Sequence, residues 1–259
     1  EAVVEAGVVG HQHLAFEPME RVVLRRAIKE VYGQDRLPHF DIKNSAYVLS
    51  FGADFLGTWV SPVGHAVAYG EFRQGEGRTR GLLVQVEPRF SMTAASADRW
   101  LPVRPGTEGL LALALAREII AEGLADPDAA RALTGDKGIA ALDAYGLERV
   151  ADETGLTTYF GKERAVHIIR EVAHDFATKR PSLALGGDSA AAHTNGLFNL
   201  RAIYALNYLV GSVGAKGGVL FNPPSPLDDV PDTASGAPLS RWEEVAQRLY
   251  GINKWANEQ

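Results

Sequence analysis

The chain has 259 residues, 46% of them apolar, so it is long enough to bury roughly three quarters of its unfolded surface in one large or two small cores. Its formal charge of −6, with 26 Lys and Arg spread along the whole length, leaves no basic block that would track phosphates and argues against nucleic acid as a partner. With no cysteine, this stretch by itself builds no iron–sulfur cluster, thiolate zinc site or disulfide.

The N-terminus lacks a basic and then apolar leader and reads as the cut edge of a longer chain. A first helix is predicted over residues 19–32, with Gly33 as its stop, followed by a strand over 46–50 that ends in Phe51-Gly52-Ala53-Asp54. A second strand over 82–86 ends in Glu87-Pro88-Arg89. Pro105-Gly106 blocks an early start to the next helix, so Thr107 is the expected N-cap of residues 107–122, stopped by Gly123. That helix is apolar on most sides and belongs deep in the fold. A helix over 162–179 ends before Pro181, a third strand over 182–185 leads into Gly186-Gly187-Asp188, and a second central helix covers 195–210. Strands alternating with helices of this length imply an α/β fold, a mainly parallel sheet with helices on both faces. The prolines at 223, 224, 226, 231 and 238 read as an extended linker, with a short helix over 240–250, which divides the chain into residues 1–221 and 222–259. No run is long and apolar enough to span a bilayer directly.

Ligands of such sheets bind at the carboxyl ends of strands, where loops and helix N-termini present free N–H groups. Three loops qualify. In them Gly52 permits close backbone approach, Asp54 can accept from a ribose hydroxyl and Arg89 can pair with a phosphate. Each glycine alone is equally a tight turn; all three loops together point to a site. Glu108 has two readings, a first-turn carboxylate favoured by the helix field or a guanine reader accepting from N1–H and N2–H of the base. No G-x-G-x-x-G follows a strand, and Gly211 to Gly217 lacks the Walker spacing, so NAD and P-loop chemistry fit poorly. His11, His13, His65, His167, His174 and His193 are too scattered to define a metal set, and His193 ranks as a supporting group in the third loop. Ser50, Ser91 and Ser189 have no His/Asp arrangement, and Trp59 and Trp100 read as packing residues. No catalytic residue and no metal ligand are assigned.

A family resemblance spans residues 38–219. It is carried by Tyr47 to Asp54, by Val86-Glu87-Pro88-Arg89 with Thr93 and Ala97-Asp98, and by Arg104-Pro105-Gly106-Thr107-Glu108. Asn195-Gly196, Leu206-Asn207 and the run Gly211 to Gly218 complete it. The chain resembles the central α/β part of the molybdopterin oxidoreductases. In that family the corresponding loops hold molybdopterin guanine dinucleotides, which by resemblance would use Gly52, Ala53, Asp54, Glu87, Arg89, Gly106, Thr107 and Glu108. The family commonly has Asn at 54 and Asp at 87 and 108, and Ala15 stands where a metal-binding side chain is expected. Phe16-Glu17-Pro18, Leu37-Pro38 and Leu49 to Val63 are similar to the molybdoenzyme-like half of the iron–sulfur subunit of bacterial alternative complex three. That resemblance implies a cofactor-free structural domain of a quinol-oxidising complex at the periplasmic face of the bacterial cytoplasmic membrane. Its partners would be an iron–sulfur protein or domain and membrane-anchoring subunits. The alternative is the pterin-dinucleotide-binding part of a molybdenum or tungsten oxidoreductase acting on a small inorganic or sulfur substrate. A plain guanine-nucleotide binding module is the third reading.

Overall fold

The computed structural model describes residues 21–74, 77 and 79–221, all of which belong to one compact unit. In chain order it begins with α1 (Arg21–Tyr32), β1 (His39–Phe40), β2 (Tyr47–Phe51), α2 (Pro62–Gln74), β3 (Leu82–Val86), α3 (Met92–Ala95) and β4 (Arg99–Leu101). A long helical excursion follows: α4 (Glu108–Ala121), α5 (Pro127–Thr134), a kinked 3₁₀ stretch (Gly135–Tyr145), α6 (Leu147–Glu153), α7 (Leu156–Phe160) and α8 (Lys162–Thr178). The chain then re-enters the sheet as β5 (Ser182–Gly186), passes a short 3₁₀ turn (Asp188–Ala190) and continues as α9 (Gly196–Leu209) and β6 (Val219–Leu220).

Four strands form a parallel sheet in the order β4-β3-β2-β5, with Tyr47 opposite both Leu82 and Ser182 and Val84 opposite Arg99. Every residue of β2 and β5 is buried. Successive side chains point to opposite faces, so both faces of the sheet are covered. β1 and β6 make a separate antiparallel pair.

The central helices form for different reasons. α4 is almost entirely buried and stops at Gly123, whose positive φ of 70° lets the chain turn back so that Leu124 N–H reaches Ile119 O at 3.0 Å. In α8, Ala165, Ile168, Ile169, Val172, Ala173 and Phe176 recur at three- and four-residue spacing and face the core, and the Phe176 ring meets that of Tyr47 edge to face. α9 carries Asn207, whose side-chain amide copies a strand. It accepts from Ala184 N–H at 2.8 Å and donates to Ala184 O at 3.0 Å and to the Tyr32 hydroxyl at 3.0 Å.

The three predicted strands and four predicted helices are present, with bounds within one or two residues where they can be compared. The first strand is shifted by one, because Ala46 pairs with Pro181 and Leu82 as a lead-in to β2. The sequence reading lacks α2, which buries only Phe72 and leaves Val63 and Val67 exposed, so it carries no apolar stripe to detect. The short α5, α6 and α7, and the short strands β1, β4 and β6, fall below the length at which a period is visible. The expected 222–259 linker and helix lie outside the described residues.

Candidate functional site

From β2 the chain moves outward through β3 to β4, then returns to β5 on the other flank of β2. The crossovers therefore diverge between β2 and β5, and the carboxyl ends of these two strands are where an open parallel sheet forms its ligand crevice. Here the loops that follow β2 and β5 touch each other directly. Gly52 adopts φ 66°, and a Cβ on it would lie 2.5 Å from Ser189 Oγ and 2.6 Å from Ala190 N, so only glycine lets the two loops meet. Asp188, at φ 41°, sends its carboxylate across, and Oδ2 accepts the Asp54 N–H at 3.1 Å. Burial raises the Asp188 carboxyl pKa above its ordinary value; the hydrogen bond from Asp54 N–H and the Arg89 charge oppose the rise, and the Asp54 and Glu87 charges add to it.

Asp54 itself points inward. Its Oδ1 accepts from the Thr93 hydroxyl at 2.8 Å and Thr93 N–H at 3.2 Å, and Oδ2 pairs with Arg89 Nη2 at 3.3 Å. The same carboxylate lies under Gly57, where a Cβ would come within 2.3 Å of it. Glu87 is similarly enclosed, Oε1 accepting from Ser91 N–H and Oε2 from Gln85 Nε2, both at 3.0 Å. Ser91 Oγ in turn caps the short α3 through Ala94 N–H. Arg89 leaves most of its side chain in solvent.

At the start of α4, Thr107 occupies the N-cap position, but its hydroxyl donates to Arg104 O at 2.6 Å instead of accepting from the helix, a correction to the expected cap. Glu108 is fully buried. Among side chains, its Oε2 has one long contact, from Asn199 Nδ2 at 3.5 Å, and Oε1 has no well-formed hydrogen bond among the described residues. Burial pushes its carboxyl pKa up to about 7, against the pull of the Glu108 and Gly106 backbone N–H groups. Asn199, which the sequence reading missed, joins three elements. Its amide donates to Ala190 O at 3.0 Å and accepts Gly109 N–H at 3.2 Å, while Asn195 Nδ2 reaches Gly106 O at 2.7 Å. A polar residue one turn into a mainly apolar helix was the available signal for it.

The family model of the molybdopterin oxidoreductases matches residues 12–227. The chain belongs to the molybdopterin oxidoreductase family. It is 31% identical over 184 residues to the menaquinone reductase, molybdopterin-binding-like subunit of Nitratidesulfovibrio vulgaris, covering 70% of this chain and 24% of that protein. It is 30% identical over 193 residues to the dimethyl sulfoxide reductase DmsA of Escherichia coli, covering 69% of this chain and 23% of that one. The chain thus spans about a quarter of the length of these curated relatives. Acetylene hydratase from Pelobacter acetylenicus shares the fold, with a TM-score of 0.62 at 21% identity over 90% of this chain and 33% of its own.

Within this member of the family, the eight expected site residues fall at strand ends or helix starts of one sheet edge, but in two groups with different chemistry. Gly52, Ala53, Asp54, Glu87 and Arg89 join through Thr93, Ser91 and Asp188. Gly106, Thr107 and Glu108 join through Asn195 and Asn199, with the His193 ring beside Gly106. The carboxylates of Asp54 and Glu87 are engaged by the chain's own donors, and Glu108, though it retains a free oxygen, has no exposed surface. In this arrangement none of the three carboxylates presents an edge to a base or ribose. Among the described residues no group of three or more His, Asp or Glu could hold a metal, and no helix is long and apolar enough to cross a membrane. His11, His13 and Ala15 lie outside the described residues.

Proposed function

We propose that this chain is a molybdoenzyme-like, cofactor-free structural domain of a membrane-associated bacterial complex that oxidises quinol. On this reading it positions an iron–sulfur protein or domain and membrane-anchoring subunits and performs no chemistry alone. The observation that carries the reading is the engagement of Asp54 and Glu87 within the protein, which turns two of the positions expected to hold a nucleotide into internal ties. Likeness to a subunit of a menaquinone reductase supports the quinone link.

A second reading, the pterin-dinucleotide-binding part of a molybdenum or tungsten oxidoreductase, is favoured by one set of atoms. Glu108 Oε1, Ser189 Oγ and Trp59 Nε1 are buried near the strand ends without hydrogen-bond partners among the described residues, as groups awaiting a ligand would be. The two readings separate on the protein purified natively with its associated subunits. Molybdenum and tungsten are measured by mass spectrometry and pterin by fluorescence after oxidation. The structural reading expects both far below one per chain; contents approaching one per chain overturn it and establish the second.

A further inference from the structure

Away from the strand-end loops, a solvent-open pocket of about 310 Å³ lies where β4 meets α7 and α8. Arg164, His167 and Glu171 recur at three- and four-residue spacing on α8 and so share one face, opposite Arg99 and Trp100 of β4 and Phe160 at the end of α7. The charges on the lining do not cancel. Arg99 and Glu171 form a two-pronged ion pair, both contacts at 3.0 Å, which satisfies the only carboxylate of the cavity and neutralises Arg99. Arg164 makes no ion pair or side-chain hydrogen bond with any described residue, so one full positive charge is left over, with the His167 ring beside it as a further polar group.

The opposite wall is apolar and held in place. Trp100 Nε1 donates to Glu87 O at 3.0 Å, and the Phe90 ring packs against the indole edge to face at 4.9 Å between centroids, so the indole is fixed before anything binds. Phe160 adds a second aromatic ring to the lining.

We infer that this cavity is a binding site for a single carboxylate carried on an apolar stem or ring, with Arg164 gripping the carboxylate and Trp100 and Phe160 holding the apolar part. One uncompensated guanidinium matches a monoanion and leaves the second charge of a phosphate monoester unmatched, and its planar fork fits the two carboxylate oxygens. The volume lies at the small end of ligand clefts, which suits a compact organic acid or the end of one acidic side chain. The inference does not depend on whether the strand-end loops hold a cofactor.

The test uses the natively purified protein with its subunits and titrates benzoate, its neutral counterpart benzamide, and phenylphosphate by calorimetry. If the carboxylate is a free ligand, benzoate binds saturably, benzamide and phenylphosphate bind more weakly, and Arg164→Gln weakens benzoate by about tenfold or more. If the carboxylate belongs to a neighbouring subunit, benzoate finds the site filled, and Arg164→Gln instead releases that subunit at lower salt than the wild type. Arg164 is exposed, so the variant keeps the wild-type unfolding midpoint, and Arg131→Gln on α5 serves as the control. Benzoate binding that survives Arg164→Gln, benzamide binding as well as benzoate, or neither binding nor subunit release overturns the inference.

Discussion

Glu108 is the residue whose environment departs furthest from what its neighbours in sequence suggest. A first-turn carboxylate at an exposed helix start gains from the helix field, but here the whole side chain is buried and its carboxyl keeps its proton to about pH 7. The unfolded carboxyl releases its proton near 4.5, so between these values the folded state binds more protons, and stability falls as pH rises from about 4.5 to about 7. The gap corresponds to on the order of 3 kcal/mol that is absent above pH 7. Glu108→Gln is therefore expected to raise the urea midpoint at pH 8 and leave it nearly unchanged at pH 4.5. Equal gains at both pH values would show that the carboxyl charge is not the cause. Asp188 offers a second residue-scale test, because it combines a positive φ with an acceptor for Asp54 N–H. Asp188→Asn keeps both features and is expected to hold stability within about 0.5 kcal/mol. Asp188→Leu strains the backbone and orphans that N–H, at a cost of about 2–4 kcal/mol. Denaturant melts of the two variants decide it, and closely similar losses would remove Asp188 as the tie between the loops.

At the scale of elements, α9 and β5 act as a pair. The Asn207 amide supplies β5 with one donor and one acceptor, as a fifth strand would, and extends the contact through Tyr32 to α1. Asn207→Ala leaves Ala184 N–H and O and the Tyr32 hydroxyl short of partners in the core, so a loss of about 2–4 kcal/mol in chemical unfolding is expected. Hydrogen exchange should show the weakening first at the Ala184 amide; unchanged protection there would mean that β5 does not need the clasp. The sequence made α9 legible as an apolar helix because Leu197, Leu200, Ile203 and Leu206 recur at helical spacing. Nothing in that spacing shows that two asparagines on the same helix serve as connectors, since each Asn alone reads as a helix-weakening residue. α2 is the opposite case, a helix whose exposed valines hide it from any periodicity argument.

Over the whole molecule, the diverging crossovers at β2 and β5 bring the glycine loops together, and the chain's own carboxylates and amides then occupy the junction. The parallel sheet and its two central helices were readable from the order of apolar runs and turn residues, because those patterns are local and repeat with the period of the element that forms, whereas the family was readable only through the resemblance of motifs such as Val86-Glu87-Pro88-Arg89 and Arg104 to Glu108. The positions of Gly52, Gly106 and the acidic residues at strand ends were readable for the same reason. The direction of each side chain was not. Asp54 and Glu87 turn into the protein, where Thr93, Ser91 and Gln85 supply their donors, and Arg164 is left without Glu171 because Glu171 pairs with Arg99 of β4. Local sequence thus determined which elements form and which polar residues stand at their ends. Tertiary packing alone decided which of those polar groups are consumed and which remain open, since a hydrogen bond or ion pair depends on partners far away along the chain.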